Sequence, residues 1–458
     1  MKKTSFLFFM FLALFSHGQY TLQKQYGDTV DCSGLHVIQT NDNGFLIIAS
    51  KNPVSQFYDD LFVIKTDQMG DTLWTKTLSL ESGFVGAGIQ TADGGFVITG
   101  KTGIYLFLMK LTEVGDIWWS VKYNFGTTYA NGISVIESGD HDLYVVGENF
   151  IGEEVCCAPL VLKTDAEGNI LDSFNLPYAE NGRAYDIVET PDSNFVISYS
   201  SIYMGPPDPQ LIKVDKNGNT LWHKAYDSYC ECHVNLTHDN GFIISGHQVN
   251  TYKPYLIKTD SAGNIIWNKS YSDYHVFNYD LKVTQATDNG YLMVGGMMDS
   301  VSDLIILKIN SLGDSVWGRT YGGTDEDFGN SIITTNDNGF AIVGYTRSFG
   351  SDHREVWFLK TDSLGLITST RKYPITEKHI NIYPNPFSNS TTLKANTEFK
   401  NLNVSVLNAL GQKIKQFDNI NGTSFTLYRN DLPKGIYFLQ LAQKDDFVAI
   451  EKVIIIDN

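Results

Sequence analysis

The sequence predicts an all-β protein in which a seven-bladed β-propeller of four-stranded blades is followed by a small Ig-like β-sandwich. Three observations support this prediction. A pattern with a period of about 50 residues occurs seven times, short apolar runs alternate with glycine-containing turns, and helical periodicity is absent. Four strands per repeat at this period are typical of propeller blades, which cover one another's faces when they stand in a ring.

Each repeat carries a lysine with a glycine five residues later. The lysines are Lys65, Lys110, Lys163, Lys213, Lys258, Lys308 and Lys360. In five repeats a tryptophan follows nine residues after the lysine, whereas the other two have Asp172 and Ser369 there. An apolar run precedes each lysine, which indicates a buried strand. The tryptophan then falls on the next, outer strand, where we expect it to fill the gap between neighbouring blades.

A second turn signal lies upstream of the lysine in most repeats. Asp-Asn-Gly or Asp-Gly-Gly occurs at 42–44, 93–95, 239–241, 288–290 and 337–339, and a short apolar run follows each time. These residues tolerate positive φ and are typical of tight hairpins. Each repeat is therefore predicted to contain four strands. A turn joins the first to the second, a variable loop joins the second to the third, and a turn joins the third to the fourth.

The start of the repeat region predicts how the ring closes. Residues 22–28 (LQKQYGD) resemble residues 317–324 (WGRTYGGT), which end the sixth repeat. We therefore expect the N-terminal segment to supply the outer strand of the last blade. That blade's own candidate, residues 366–373, lacks the tryptophan.

Composition and the N-terminus limit where the protein works. The chain of 458 residues has a formal net charge of −17 and repels phosphate backbones, so nucleic acid is not expected as a partner. Residues 1–18 have the layout of a signal peptide: two lysines, an apolar stretch, and a cleavage site between Gly18 and Gln19. No later stretch is long and apolar enough for a transmembrane segment after signal removal.

The C-terminal region has a different composition. We predict a propeller over 19–373, a proline-containing linker over 374–381 and a small β-sandwich over 382–458. The last of these carries three ordered motifs, whose key residues are Pro384, Asn385, Pro386, Gly411, Pro433 and Gly435. They resemble the motifs of the type A C-terminal sorting domain of the type IX secretion system. The chain as a whole resembles exported propeller-repeat proteins of Bacteroidetes that carry this domain. The resemblance implies the type IX secretion machinery as a partner, passage through the periplasm, and a secreted or cell-surface location. A stalk or adhesion sandwich is the alternative.

No catalytic residue and no cofactor-binding motif is predicted. No metal site is predicted either, although Cys230, Cys232 and His233 are weak candidates because thiolate and imidazole ligands suit zinc or copper. Strand alternation places the two cysteines on one face and the histidine on the other.

The propeller body is therefore expected to be a non-catalytic binding or interaction module with a glycan or protein ligand. The loops between the second and third strands vary most, and variable loops on a rigid ring tend to carry function. The alternative is a carbohydrate-active enzyme, a glycoside hydrolase or lyase, with its site at the channel mouth. A hydrolase would need two carboxylates about 5–9.5 Å apart across a cleft.

Overall fold

The computed structural model describes residues 21–27, 29–52, 59–150, 157–177, 182–201, 209–226, 232–248, 251, 253–274, 276, 281–297, 302–349, 352–367, 380–408, 413–443 and 446–457. The chain forms two compact units, residues 1–368 and 369–458. Over the described ranges, both units are built from β-strands and contain no α-helix.

The first unit is a seven-bladed propeller of four-stranded antiparallel sheets, as the sequence predicts. The chain enters through β1 (Leu22–Tyr26) and then builds three blades. Blade 1 is β2 (Asp31–Gln39), β3 (Phe45–Asn52), β4 (Asp60–Thr66) and β5 (Thr72–Leu78). Blade 2 is β6 (Phe84–Gln90), β7 (Phe96–Thr102), β8 (Tyr105–Leu111) and β9 (Ile117–Tyr123). Blade 3 is β10 (Tyr129–Glu137), β11 (Leu143–Phe150), β12 (Ala158–Thr164) and β13 (Ile170–Asn175).

Four further blades complete the ring. Blade 4 is β14 (Gly182–Glu189), β15 (Phe195–Ser201), β16 (Pro209–Val214) and β17 (Thr220–Ala225). Blade 5 is β18 (His233–Leu236), β19 (Phe242–Gln248), β20 (Lys253–Thr259) and β21 (Ile265–Ser270). Blade 6 is β22 (Lys282–Gln285), β23 (Tyr291–Gly296), β24 (Leu304–Ile309) and β25 (Ser315–Tyr321). Blade 7 is β26 (Asp327–Thr334), β27 (Phe340–Thr346) and β28 (Glu355–Thr361), with β1 as its fourth strand.

The N-terminal strand closes the ring as predicted. Strand β1 pairs antiparallel with β28, with Leu22 opposite Lys360 and Tyr26 opposite Val356. Leu22 is buried in a core shared by blades 7 and 1. The Tyr26 hydroxyl donates a hydrogen bond to the carbonyl oxygen of Gly70 in blade 1, at 2.7 Å. The first strand of the chain therefore joins the last blade to the first.

The outer-strand aromatic residues fill the spaces between blades, which confirms their predicted packing role. A Cβ built on Gly313 of blade 6 would lie 2.9 Å from the Trp267 ring of blade 5. The Trp267 indole N–H donates to the carbonyl oxygen of Ser311, at 3.2 Å. In the third repeat, where Asp172 stands at the tryptophan position, Phe174 takes over and lies against Gly218 of blade 4.

Each of the seven repeat lysines forms an ion pair with an aspartate in the turn between the first and second strands of its own blade. The seven pairs, with N···O distances of 2.6–3.0 Å, are Lys65–Asp42, Lys110–Asp93, Lys163–Asp142, Lys213–Asp192, Lys258–Asp239, Lys308–Asp288 and Lys360–Asp337. The turn glycine leaves room for the ammonium group, because a Cβ on Gly241 would lie 2.5 Å from Lys258 Nζ. In blade 3 the turn has no glycine at this position, and the paired aspartate, Asp142, stands there instead.

Over its described residues, the second unit contains five strands around a single core. They are β29 (Ile380–Tyr383), β30 (Ser390–Asn408), β31 (Lys413–Tyr428), β32 (Gly435–Gln443) and β33 (Asp446–Ile455). The first half of β30 lies between β29 and β31, and its second half lies between β31 and β32. Inward side chains of both halves, such as Leu393 and Val404, meet in one core. This is the small all-β unit that the sequence predicts.

Candidate functional site

The seven inner strands, β2, β6, β10, β14, β18, β22 and β26, surround a central channel. Each contacts the inner strand of the next blade, and β26 contacts β2. Inner strands begin at the end of the ring that carries the variable loops, which we call the loop face. They end at the opposite, turn face, where the short first turns lie. Much of the variable loops (53–58, 151–156, 202–208 and 350–351) lies outside the described residues.

Two cavities lie along the channel, and all seven inner strands contribute to each. A cavity of about 440 Å³ extends toward the turn face and is lined largely by aliphatic residues such as Ile187 and Ile333. A cavity of about 310 Å³ lies at the loop face, and we call it the mouth cavity. The two share His36, Tyr185 and Lys282 on their walls. Polar side chains therefore stand where the two cavities meet.

Asp186, His233 and Lys282 come from three successive blades and meet on one side of the channel. Asp186 Oδ2 lies 2.6 Å from His233 Nδ1. Lys282 Nζ lies 2.7 Å from the same nitrogen and 3.2 Å from Nε2. The carboxylate and the ammonium group thus both lie within hydrogen-bonding distance of His233 Nδ1. His233 is only 2% exposed, so its ring is held between Asp186 and Lys282 and helps to position both side chains.

His36, on the first blade, completes this set, which we call the channel cluster. Burial and the positive charge of Lys282 together lower its pKa to about 4, although the charge of Asp186 opposes the shift. The imidazole is therefore neutral at physiological pH. Its Nδ1 is buried without a hydrogen-bond partner among the described residues, and such an atom at a cavity wall is available to a ligand or to water.

The mouth cavity adds an aromatic ring and a carboxyl group to the channel cluster. Phe84, the first residue of β6, lines it and is 39% exposed. Asp59 is the only acidic side chain among the described residues that line this cavity. Burial raises the Asp59 pKa, a hydrogen bond with Ser50 opposes the shift, and the charge of Asp60 adds to it. Arg183 also lines the cavity, but its guanidinium group is held by Glu148 at 2.9 and 3.0 Å.

The predicted metal candidates do not converge in the described structure. The Cys232 thiol points into the core between blades 4 and 5 and donates to the carbonyl oxygen of Tyr199, at 3.2 Å. His233 faces the channel and Asp186 instead. Cys230 lies outside the described residues. Over the described ranges, no three His, Cys, Asp or Glu side chains are grouped so that they could hold a metal ion.

The sorting motif residues lie at the end of the second unit where β33 finishes. The Asn385 side chain donates to the carbonyl oxygen of Lys452 at 2.7 Å and accepts from the backbone N–H of Ile454 at 2.8 Å. Pro384 and Pro386 flank this asparagine. The carbonyl oxygen of Pro433 accepts the Tyr437 hydroxyl at 3.0 Å, and Gly435 begins β32. Gly411, Gly18 and Gln19 lie outside the described residues.

Sequence reasoning missed His36, Asp186 and Lys282. Each is a titratable residue in the middle or at the start of an inner strand. Equivalent positions of other repeats carry aliphatic or small residues, and this difference was the available signal. That signal names candidates but does not bring them together, because the three lie on blades 1, 4 and 6 and meet only across the closed ring.

Comparison with known families confirms the C-terminal assignment. Residues 381–456 match the family described as "Secretion system C-terminal sorting domain". The protein is therefore exported to the cell surface or secreted. No curated protein sequence matches the chain. Among the described residues, no helix is long and apolar enough to cross a membrane.

One solved structure with a TM-score above 0.5, a lectin, supports the propeller fold. The BP39L lectin from Burkholderia pseudomallei is 11% identical, with a TM-score of 0.55, and the match covers 74% of this chain and 98% of the lectin. The polysaccharide lyase Uly1 is 10% identical, with a TM-score of 0.49, over 74% of this chain and 91% of the lyase. A protein of unknown function from Dyadobacter fermentans is 11% identical, with a TM-score of 0.46, over 74% of this chain and 99% of that protein. At these identities the similarity concerns the fold.

Proposed function

We propose that the chain is a bacterial propeller protein, exported by the type IX secretion system, that binds a glycan at the mouth cavity without transforming it. In this proposal residues 1–18 are a signal peptide cleaved between Gly18 and Gln19. Residues 19–373 form the binding body, 374–381 form a linker, and 382–458 direct sorting in a member of the Bacteroidetes.

The observation that carries the binding role is the combination of groups around one cavity. Phe84 offers a partly exposed aromatic face, against which the apolar face of a sugar ring can stack. Lys282 supplies a donor, while the Asp59 carboxyl group and the neutral His36 supply acceptors at the same cavity, which together match the hydroxyl groups of a sugar. The volume of about 310 Å³ lies at the lower end of the range of small-ligand sites, about 300–1,000 Å³.

The binding test uses the full chain and a panel of purified neutral and acidic polysaccharides. A ligand at about a hundred times its dissociation constant adds about 2.7 kcal/mol of stability, which a thermal-shift measurement detects. Phe84→Ala and Lys282→Met should each abolish the shift caused by a binding polysaccharide. The control Trp118→Ala removes an aromatic ring that is 66% exposed from the outer edge of blade 2 and should leave the shift intact. Retention of the shift in both mouth variants would overturn the proposed site, and a protein ligand would then be sought.

A carbohydrate-active enzyme is the second candidate, and the raised pKa of Asp59 favours it. A carboxyl group that stays protonated closer to neutral pH can act as a general acid. One assay distinguishes the two candidate functions. The protein is incubated with each polysaccharide that binds, and new reducing ends and unsaturated products are measured. Product formation that disappears in Asp59→Asn would establish the enzyme, whereas binding without product supports the module.

A further inference from the structure

The sorting unit contains a motif in which neighbouring residues have opposite roles. Asn385 fastens the end of β33 through two hydrogen bonds to its backbone. The backbone of Phe387 donates to Ile454 and accepts from Ile456, both at 2.9 Å, and its ring is buried in the core. These two residues therefore hold the fold together.

Tyr383, two residues before Asn385, has no such role in the described structure. Its side chain is 81% exposed and lies outside the core of the unit. Its strand is held by backbone pairing of β29 with β30, in which Tyr383 stands opposite Thr392. A ring that is left this exposed adds little to folding.

A second exposed tyrosine shares the same face of the sheet. Thr392 stands opposite both Tyr383 and Thr426, and Ser390 stands opposite Tyr428. Directly opposed residues, and residues two apart on a strand, project to the same side of a sheet. Tyr428 is 60% exposed. The two tyrosines therefore flank Thr392 and Thr426 at opposite sides of a three-stranded surface about 10 Å wide.

The polar residues of this surface include a hydrogen-bonded pair of hydroxyl groups and carry little charge. The hydroxyl oxygens of Thr392 and Thr426 lie 3.1 Å apart and hydrogen bond to each other. Lys394, two residues along β30 and opposite Ser424, is exposed and is the one charged residue among these outward positions. A chain with a net charge of −17 thus presents here a patch of two tyrosines, hydroxyl groups and one cation.

We propose that this surface, the tyrosine face, is the docking site for the protein machinery that exports the chain. The occupant follows from the family match, which spans residues 381–456 and identifies the unit as the part of the chain that directs sorting. Tyrosines are enriched at the energetic centres of protein interfaces because they bury a large rigid surface and still hydrogen bond through their hydroxyl group. The partner groove should offer two apolar pockets separated by hydrogen-bonding groups, with neutral or acidic character to accept Lys394.

The test compares export of full-length variants in the native host. Tyr383→Ala combined with Tyr428→Ala should lower the fraction of protein at the surface and in the medium at least tenfold, and the protein should accumulate in the periplasm. Trp118→Ala, which removes a 66% exposed ring from the propeller, should be exported like the wild type. Thermal unfolding of the purified double variant should match that of the wild type. Wild-type export of the double variant would overturn the proposal.

A second variant separates lost docking from lost folding. Tyr383→Glu places a charge on the face at an 81% exposed position, so the fold should tolerate it while docking should not. Asn385→Ala should reduce export only together with a lower unfolding temperature of the unit. If Tyr383→Glu is exported normally while Asn385→Ala is not, export depends on the stability of the unit and the tyrosine face has no docking role.

Discussion

Lys258 and Asp239 form an ion pair in which one partner is buried and the other stands in solvent. Lys258 Nζ lies 2.9 Å from Asp239 Oδ1, and the lysine side chain is 5% exposed whereas the aspartate is 60% exposed. The ammonium group also donates to the carbonyl oxygen of Thr259, at 2.7 Å. The buried cation therefore depends on the carboxylate, while the carboxylate can be solvated without the cation.

This asymmetry predicts unequal effects of removing either partner. Asp239→Asn leaves a buried, unpaired ammonium group and should lower the free energy of unfolding by about 3 kcal/mol. Lys258→Met leaves a solvated carboxylate and fills the buried space with an apolar chain, so it should cost only about 1 kcal/mol. Chemical denaturation of the full chain, followed by tryptophan fluorescence, measures both.

The matched control is the exposed pair Lys76–Asp116, at 3.1 Å and with both side chains accessible. Asp116→Asn should change stability by less than about 0.5 kcal/mol. Equal losses for Asp239→Asn and Asp116→Asn would show that the buried lysine does not depend on its partner.

The same pairs predict a loss of stability in acid. Burial opposes ionisation of Asp93, but hydrogen bonds from Lys110, Thr91 and the backbone N–H of Gly95 outweigh it and lower its pKa to about 2. In the unfolded chain this carboxyl has a pKa of about 3.9, so the unfolded state takes up the proton first as the pH falls. The contribution of Asp93 is therefore complete above about pH 4 and is lost between about pH 4 and pH 2.

Asp93→Asn isolates this contribution from the other carboxylates. The difference in unfolding free energy between wild type and variant should be largest at pH 6 and should shrink steadily between pH 4 and pH 2. Denaturant titrations at pH 6, 4, 3 and 2 measure it. A difference that stays constant over this range would mean that ionisation of Asp93 contributes nothing to stability.

The sequence predicts the repeat because its lysine, glycine and tryptophan positions recur. It does not predict which side chains pair within each repeat. Lysines such as Lys258 and turn aspartates such as Asp239 were both visible as markers of separate hairpins. Their ion pair depends on the register that places β20 beside β19, which neither marker reports.

The channel cluster was beyond sequence reasoning for a related reason. Beside Cys230 and Cys232, His233 is only a weak candidate for a metal ligand, because strand alternation places it on the face opposite the two cysteines. The fold separates them, because the inner strand sends Cys232 into the core between blades and His233 toward Asp186. The residues that surround a propeller channel come from distant repeats, and only ring closure gives them their neighbours.

Two glycines with the same backbone conformation predict how much blade packing contributes. Gly313 has φ of +86°, and a Cβ there would lie 2.9 Å from the Trp267 ring, whereas Gly94 has φ of +87° with nothing within 4 Å. Gly94→Ala should cost only the left-handed backbone penalty, about 1–2 kcal/mol. Gly313→Ala should cost about 1–3 kcal/mol more, because the indole must move. Equal losses in denaturant unfolding would mean that the indole moves aside without cost.

Ring closure by β1 predicts that the first strand stabilises the whole propeller. A chain that begins at residue 27 loses the buried Leu22 side chain, the Tyr26 hydrogen bond to Gly70 and the ion pair of Lys24 with Asp71 at 2.7 Å. It should be at least about 3 kcal/mol less stable than a chain that begins at residue 22, most of the loss coming from Leu22 and the hydrogen bonds. Thermal unfolding and limited proteolysis of the two chains make the comparison. Loss of β1 also uncovers the edge of β28, so cleavage should begin in blade 7. Identical unfolding temperatures would mean that six complete blades and the three remaining strands of blade 7 hold the ring closed without β1.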